Sequence, residues 1–131
     1  MLDKEVRMGS IAVRYIVDDV DIAIAFYTEQ LGFTVDMHPG PGFAALSKGD
    51  LRLLVNQPGA GGAGTAGGEE PASGGWNRFQ IEVDDLIAEV DRLKGEGARF
   101  RGDMVEGRGG RQILLEDPSG NPIELFQPSS G

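Results

Sequence analysis

The chain repeats itself. Val17-Asp-Asp-Val20 opens one segment, and Val83-Asp-Asp-Leu86 opens another 66 positions later. An alternating apolar run precedes each, and a helical pattern ending at a glycine, Gly32 or Gly97, follows each. Self-similarity at about half the chain length is the mark of one supersecondary unit used twice. Any fold for this sequence must therefore accommodate two copies of the same unit.

In the first copy, Val13, Tyr15 and Val17 fall on one face of a strand, and Ala12, Arg14 and Ile16 fall on the other. A helix is predicted from about 20 to 31, with Asp18 or Asp19 as its N-cap. Val20, Ala23, Ile24, Tyr27 and Leu31 form its apolar stripe, and Gly32 supplies a left-handed stop. Three strands follow at about 33–38, 43–47 and 51–56, separated by turns at Pro39-Gly-Pro-Gly42 and Lys48-Gly-Asp50.

The second copy keeps that order. A strand at 77–83 sets Phe79, Ile81 and Val83 against Arg78, Gln80 and Glu82, and a helix at about 86–95 carries Leu86, Val90 and Leu93. Strands are predicted near 98–101, 111–116 and 122–127, with a tight turn at Asp117-Pro-Ser-Gly-Asn121. Residues 58–75 are mostly Pro, Gly, Ala, Ser and Thr and read as a flexible linker, or else as a lid over a pocket. The expected division is a tail at 1–9, one domain at 10–127 (unit one 10–57, linker 58–75, unit two 76–127) and a tail at 128–131. Met8 is an alternative start.

A length of 131 residues suits one domain with one core. Cysteine is absent, which excludes disulfides, thiolate nucleophiles and Cys-ligated metals and fits a cytoplasmic protein. No apolar run approaches the roughly 20 residues of a membrane span, and the first residues carry no signal-peptide core. A net charge of −9 opposes contact with nucleic-acid phosphates. It favours cationic small molecules, or serves only to keep the chain dissolved.

Two βαβββ units, a helix carrying Ala25-Phe-Tyr-Thr-Glu-Gln-Leu-Gly-Phe33, and the run Glu116-Asp-Pro-Ser-Gly-Asn-Pro-Ile-Glu-Leu-Phe126 together resemble the vicinal-oxygen-chelate superfamily. That superfamily holds glyoxalase I, extradiol dioxygenases, methylmalonyl-CoA epimerase, fosfomycin-resistance enzymes and bleomycin-binding proteins. The resemblance covers about residues 10–127. It implies an α+β fold in which each unit curls a mixed sheet into half of a cup, with helices outside and the ligand inside. On that analogy a homodimer is expected. The matching motifs are helix and turn elements, so they diagnose fold and not chemistry.

The resemblance also implies where a metal would sit: one ligand each on the first, fourth, fifth and eighth strands. Ala12 stands at the first position and has no donor atom. The fourth-strand position falls near Leu53, and no residue from 51 to 55 is His, Asp or Glu. Arg78 stands at the fifth-strand position, and a guanidinium cannot ligate a cation. Only Glu124, on the eighth strand, is retained. No cofactor is therefore expected, with a divalent metal as the alternative. Arg78 is expected to reach Glu124 and fill the place of the ion; otherwise it points to solvent and Glu124 is a vestige. His38, the one histidine, matches no ligand position and reads as a surface residue.

Ligand-binding candidates on the inner face are Arg14, Ile16, Arg78, Gln80, Glu82 and Phe126, with Trp76 and Phe43 at the rim. Trp76 either stacks on a planar ligand or anchors the end of the linker. Tyr27 and Phe26 read as core. Gly107-Arg-Gly-Gly-Arg111 reads as a plain hairpin, or as a cradle for an anion. Glu124 is the catalytic candidate, with Glu82 beside it, because a carboxylate against an apolar ligand can serve as a base. The leading expectation is a protein that binds a small amphipathic molecule, such as an antibiotic, in a metal-free cavity. The alternatives are a metal-dependent lyase, isomerase or dioxygenase, and a metal-independent catalyst using Glu124 or Glu82.

Overall fold

The structure, a computed structural model, describes residues 11–60 and 69–129. The expected N-terminal tail, the centre of the linker at 61–68 and the last two residues lie outside the described residues. The first unit runs β1 (Ala12–Ile16), α1 (Val20–Ala25, continued by a π-helical turn over Phe26–Gln30), β2 (Thr34–Gly40), β3 (Phe43–Lys48) and β4 (Leu51–Asn56). The second runs β5 (Phe79–Glu82), α2 (Leu86–Gly95), β6 (Arg99–Glu106), β7 (Gly110–Glu116) and β8 (Pro122–Pro128).

Each unit makes a four-stranded mixed sheet, ordered β1-β4-β3-β2 in one and β5-β8-β7-β6 in the other. The first strand of each lies parallel to the last, and the remaining pairs are antiparallel. The duplication extends to individual hydrogen bonds. Asp19 accepts from the Ile22 amide at 3.0 Å and Asp85 from the Ala88 amide at 3.1 Å, which satisfies one free N–H at each helix start. Gln57 and Gln127, each just past or near the end of the unit's last strand, reach back to the first helical amides, Val20 at 3.5 Å and Leu86 at 2.8 Å. Both helices are followed by glycines with positive φ, +75° at Gly32 and +84° at Gly97, as the left-handed stop requires.

The expected helix to residue 31 changes type at Phe26. From there the wider π turn takes over, which brings Phe26 and Tyr27 into the core. Strand ends also shift. β6 runs to Glu106, well past the expected 101, and β8 includes Pro128, which the sequence assigns to the tail.

One apolar core serves both units. Tyr15, Tyr27, Phe33, Leu53 and Val55 of the first unit belong to the same buried cluster as Leu86, Leu93, Leu115 and Leu125 of the second. Each such side chain contributes about 1.5–3 kcal/mol by leaving water. The seam between units is stitched by polar contacts as well. Tyr15 stacks on Phe79 with ring centroids 5.4 Å apart, and its hydroxyl donates to the Pro122 carbonyl at 2.7 Å. Burial raises the Tyr15 phenol from 10.0 to about 12.

Candidate functional site

The cup-facing surface follows from strand alternation. On β4, Leu53 and Val55 are fully buried in the core, so Arg52, Leu54 and Asn56 face the other way. β1 pairs with it in the register Ala12↔Arg52 and Arg14↔Leu54. The matching pair in the second unit is Gln80↔Glu124. The fourth-strand position equivalent to Glu124 is therefore Leu54. The sequence assignment to Leu53 is one residue off, because Leu51-Arg-Leu-Leu-Val55 is apolar on both faces and its alternation carries little information.

The second unit's inner face is built around Glu124. Arg78 donates from Nε to Glu124 Oε1 at 3.1 Å, and its Nη2 stands 3.1 Å from the same oxygen as an ion pair. Gln80 donates from Nε2 to Oε2 at 2.7 Å. The guanidinium thus lies against one oxygen and leaves the other to Gln80, rather than forking across both. Arg78 Nη1 also donates to the Trp76 carbonyl at 3.3 Å. Glu124 is nearly buried, at 9% exposure, so its charge is neutralised where solvent cannot do it. Both oxygens are thus engaged by protein donors, which any ligand reaching for the carboxylate would have to share or displace.

Trp76 is 66% exposed, and its ring lies over the Arg101 guanidinium, 4.5 Å from carbon to centroid. Arg101 in turn donates to Glu116 at 2.9 Å and to the carbonyls of Gly75 at 2.7 Å and Gly120 at 2.9 Å. That arginine holds the returning end of the inter-unit segment against the sheet. Nothing local in the sequence distinguishes Arg101; its partners come from three separate segments. Glu82 is exposed and stands opposite Phe126 in the register, and Phe126 is half-buried.

In the first unit, Arg14 donates from Nη1 to Asn56 Oδ1. Asn56 is fully buried, and its Nδ2 donates to the Ala60 carbonyl at 3.0 Å. Ile16 is half-buried on the same face as Arg14. Asn56 and Arg52 are functional-face residues that the sequence reading misses. The signal available for both was the parity of β4, which the Leu53 misregister inverted.

The Asp117 turn lies outside the cup. The Asp117 carboxylate is fully buried and accepts from the Ser119 and Asn121 amides at 2.9 Å each, and from the Tyr27 hydroxyl at 2.8 Å. Burial raises its pKa above the ordinary 3.8, against the opposing pull of hydrogen bonds from Asn121, Tyr27 and Ser119. The same burial, with the adjacent carboxylate, lifts the Tyr27 phenol well above 10.0. The Gly107–Arg111 segment closes as a hairpin, with the Gly107 amide donating to the Gly110 carbonyl at 2.8 Å.

These residues do not fit a divalent ion. The four positions hold a methyl group, an isobutyl group, a permanent cation and one carboxylate already held by two donors. Among the described residues no group of three or more His, Cys, Asp or Glu side chains comes together. His38 sits on β2, 3.8 Å from Asp21, away from the cup. Grooves of 310 to 390 Å³ open at the β6–β7 hairpin and along the helix side of the molecule. None of these grooves is lined by Arg14, Arg78 or Glu124.

The chain belongs to the Glyoxalase/Bleomycin resistance protein/Dioxygenase superfamily, whose family model matches residues 7–125. Among solved structures it is similar to lactoylglutathione lyase from Agrobacterium tumefaciens (19% identity, 91% of this chain and 93% of that one, TM-score 0.70). It is also similar to the antibiotic-binding protein TnmS3 from a Streptomyces species (29% identity, 92% and 97%, TM-score 0.66). A third is the fosfomycin resistance protein FosX from Listeria monocytogenes (15% identity, 94% and 93%, TM-score 0.67). Among curated proteins none matches the sequence. No helix among the described residues is long and apolar enough to cross a membrane.

Proposed function

We propose that this chain is a metal-free binding protein that sequesters a small amphipathic molecule, of the kind an antibiotic represents, in the cup between its curled sheets. The observation that carries this reading is the Arg78–Glu124–Gln80 arrangement. A guanidinium fixed at 3.1 Å stands where a donor would have to be, and the remaining carboxylate is satisfied on both oxygens. The antibiotic-binding neighbour at 29% identity supports it. By analogy with the superfamily, a homodimer with each copy supplying a wall for the other is part of the proposal. So is a cytoplasmic location. Glu124 as a catalytic base fits less well, because Arg78 and Gln80 already engage both of its oxygens and a substrate would have to share or displace them.

A thermal-shift screen of planar amphipathic compounds, antibiotics included, tests this in the presence of a chelator. At least one compound should raise the melting temperature under those conditions, and the effect should fade in Phe126→Ala. Stabilisation that appears only when a divalent metal is added, or in no case at all, contradicts the proposal. Light scattering should give the mass of two chains.

A further inference from the structure

The two halves of the cup differ in how their cations are balanced. In the second unit, Arg78 is paired with Glu124 and Arg101 with Glu116. In the first unit, Arg14 and Arg52 lie on the cup-facing side of adjacent strands, flanking the Ala12–Leu54 positions diagonally. Among the described residues neither meets a carboxylate within 4.0 Å. The acid on that sheet face, Asp36, accepts from the Ser47 hydroxyl at 3.0 Å.

Arg14 is oriented, but by a neutral group. Its partner is the amide oxygen of fully buried Asn56, itself fixed by the Ala60 carbonyl. An arginine held by a carboxylate has its charge compensated by that partner. One held by an amide keeps the full charge and most of its five donors, already aimed. Ordering a long side chain in advance also removes part of the entropy that binding would otherwise cost.

The chain carries a net charge of −9, which argues for cations as ligands when taken as a whole. Distance reverses that argument. At physiological salt, charges beyond about 8 Å are largely screened. A group seated in the first half-cup responds to Arg14 and Arg52 at contact and barely to acids on the far surface.

We infer that the first half of the cup is an anion-recognition subsite, and that the molecule bound there joins an apolar, aromatic body to an oxyanion such as a carboxylate, sulfonate or phosphonate. The fork of Arg14 takes the oxyanion and Arg52 adds a second positive charge beside it. Leu54, Ile16 and Ala12 supply apolar surface between and beside the two arginines. This inference rests on the reading of the cup as a small-molecule site and specifies the ligand's charge.

A matched pair of fluorescent probes separates the two claims. 8-Anilinonaphthalene-1-sulfonate and N-phenyl-1-naphthylamine share one aromatic body and differ by the sulfonate. The anionic probe should bind the wild-type chain about tenfold more tightly than the neutral one, the value of one charge-assisted contact. Arg14→Gln and Arg52→Gln should each weaken the anionic probe several-fold and leave the neutral probe unchanged. Arg108→Gln, which removes a cation from the distant hairpin, should change neither. Equal affinity for the two probes, or equal losses for both in Arg14→Gln, overturns the anion subsite while leaving the cup. Failure of both probes to bind wild type overturns the cup and the subsite with it.

Discussion

The hydroxyl of Tyr27 donates to Oδ2 of Asp117 at 2.8 Å across the seam between the two units. One residue lies in the helix motif of the first unit, the other in the turn motif of the second. The two segments that most resemble the superfamily are thus bonded to each other, and their shared role is to lock the halves of the cup in place. Tyr27→Phe keeps the ring and removes one bond to a buried carboxylate, so it should cost about 1–3 kcal/mol in urea unfolding. Asp117→Ala strands the Tyr27 hydroxyl and two amides, and should cost more than Tyr27→Phe. A Tyr27→Phe loss within experimental error would show that the seam does not depend on this contact.

The raised pKa values set the direction of pH effects. The protein has two tyrosines, with Tyr15 raised to about 12 and Tyr27 well above 10.0. A group whose folded pKa is raised stabilises the fold fully below its unfolded value and loses that contribution as pH rises through the folded one. Stability should therefore fall from about pH 10 upward, with little phenolate absorbance in the native protein at pH 10.0. For Asp117 the same rule applies from 3.8 upward. Wild type should gain on Asp117→Asn as pH is lowered from 7 toward 4. Native phenolate appearing near pH 10, or a gap that moves the other way with acid, contradicts the burial argument.

Arg78 and Glu124 should behave as a unit. Arg78→Met leaves a nearly buried carboxylate with only Gln80 and should cost about 2 kcal/mol. The double change Arg78→Met with Glu124→Leu removes both charges and should recover much of that loss. If the double variant is as unstable as the two single losses added together, the pair is not coupled.

Trp76 is the single tryptophan of the chain, so its emission reports one place. Arg101→Ala removes the cation beneath the ring and three anchors of residues 75, 116 and 120. Quenching of Trp76 by acrylamide should rise in that variant. No change would mean that the segment is held by something other than Arg101.

Much of this was legible in the sequence, for definite reasons. The duplicated Asp-Asp pairs marked both helix starts because an N-cap needs a short acceptor at a fixed place. The Arg78–Glu124 contact was legible because the alternation of Phe79-Gln-Ile-Glu82 extends back to Arg78 just before β5 and puts it on the face of Gln80, the residue paired with Glu124. β4 was not, because leucines occupy both of its faces and only the pairing register tells Leu53 from Leu54. The π turn at Phe26 was hidden because its residues fit a helical stripe equally well. Arg101 was hidden because its partners, a strand end and two glycine carbonyls in loops, lie 15 to 26 positions away in sequence.

The central claim is that a fixed arginine has replaced the cation of a metal site. Calorimetric titration of the chelator-stripped protein with nickel, zinc and manganese addresses it most directly. The account predicts no saturable binding at one ion per chain. A one-to-one site that disappears in Glu124→Gln would contradict it.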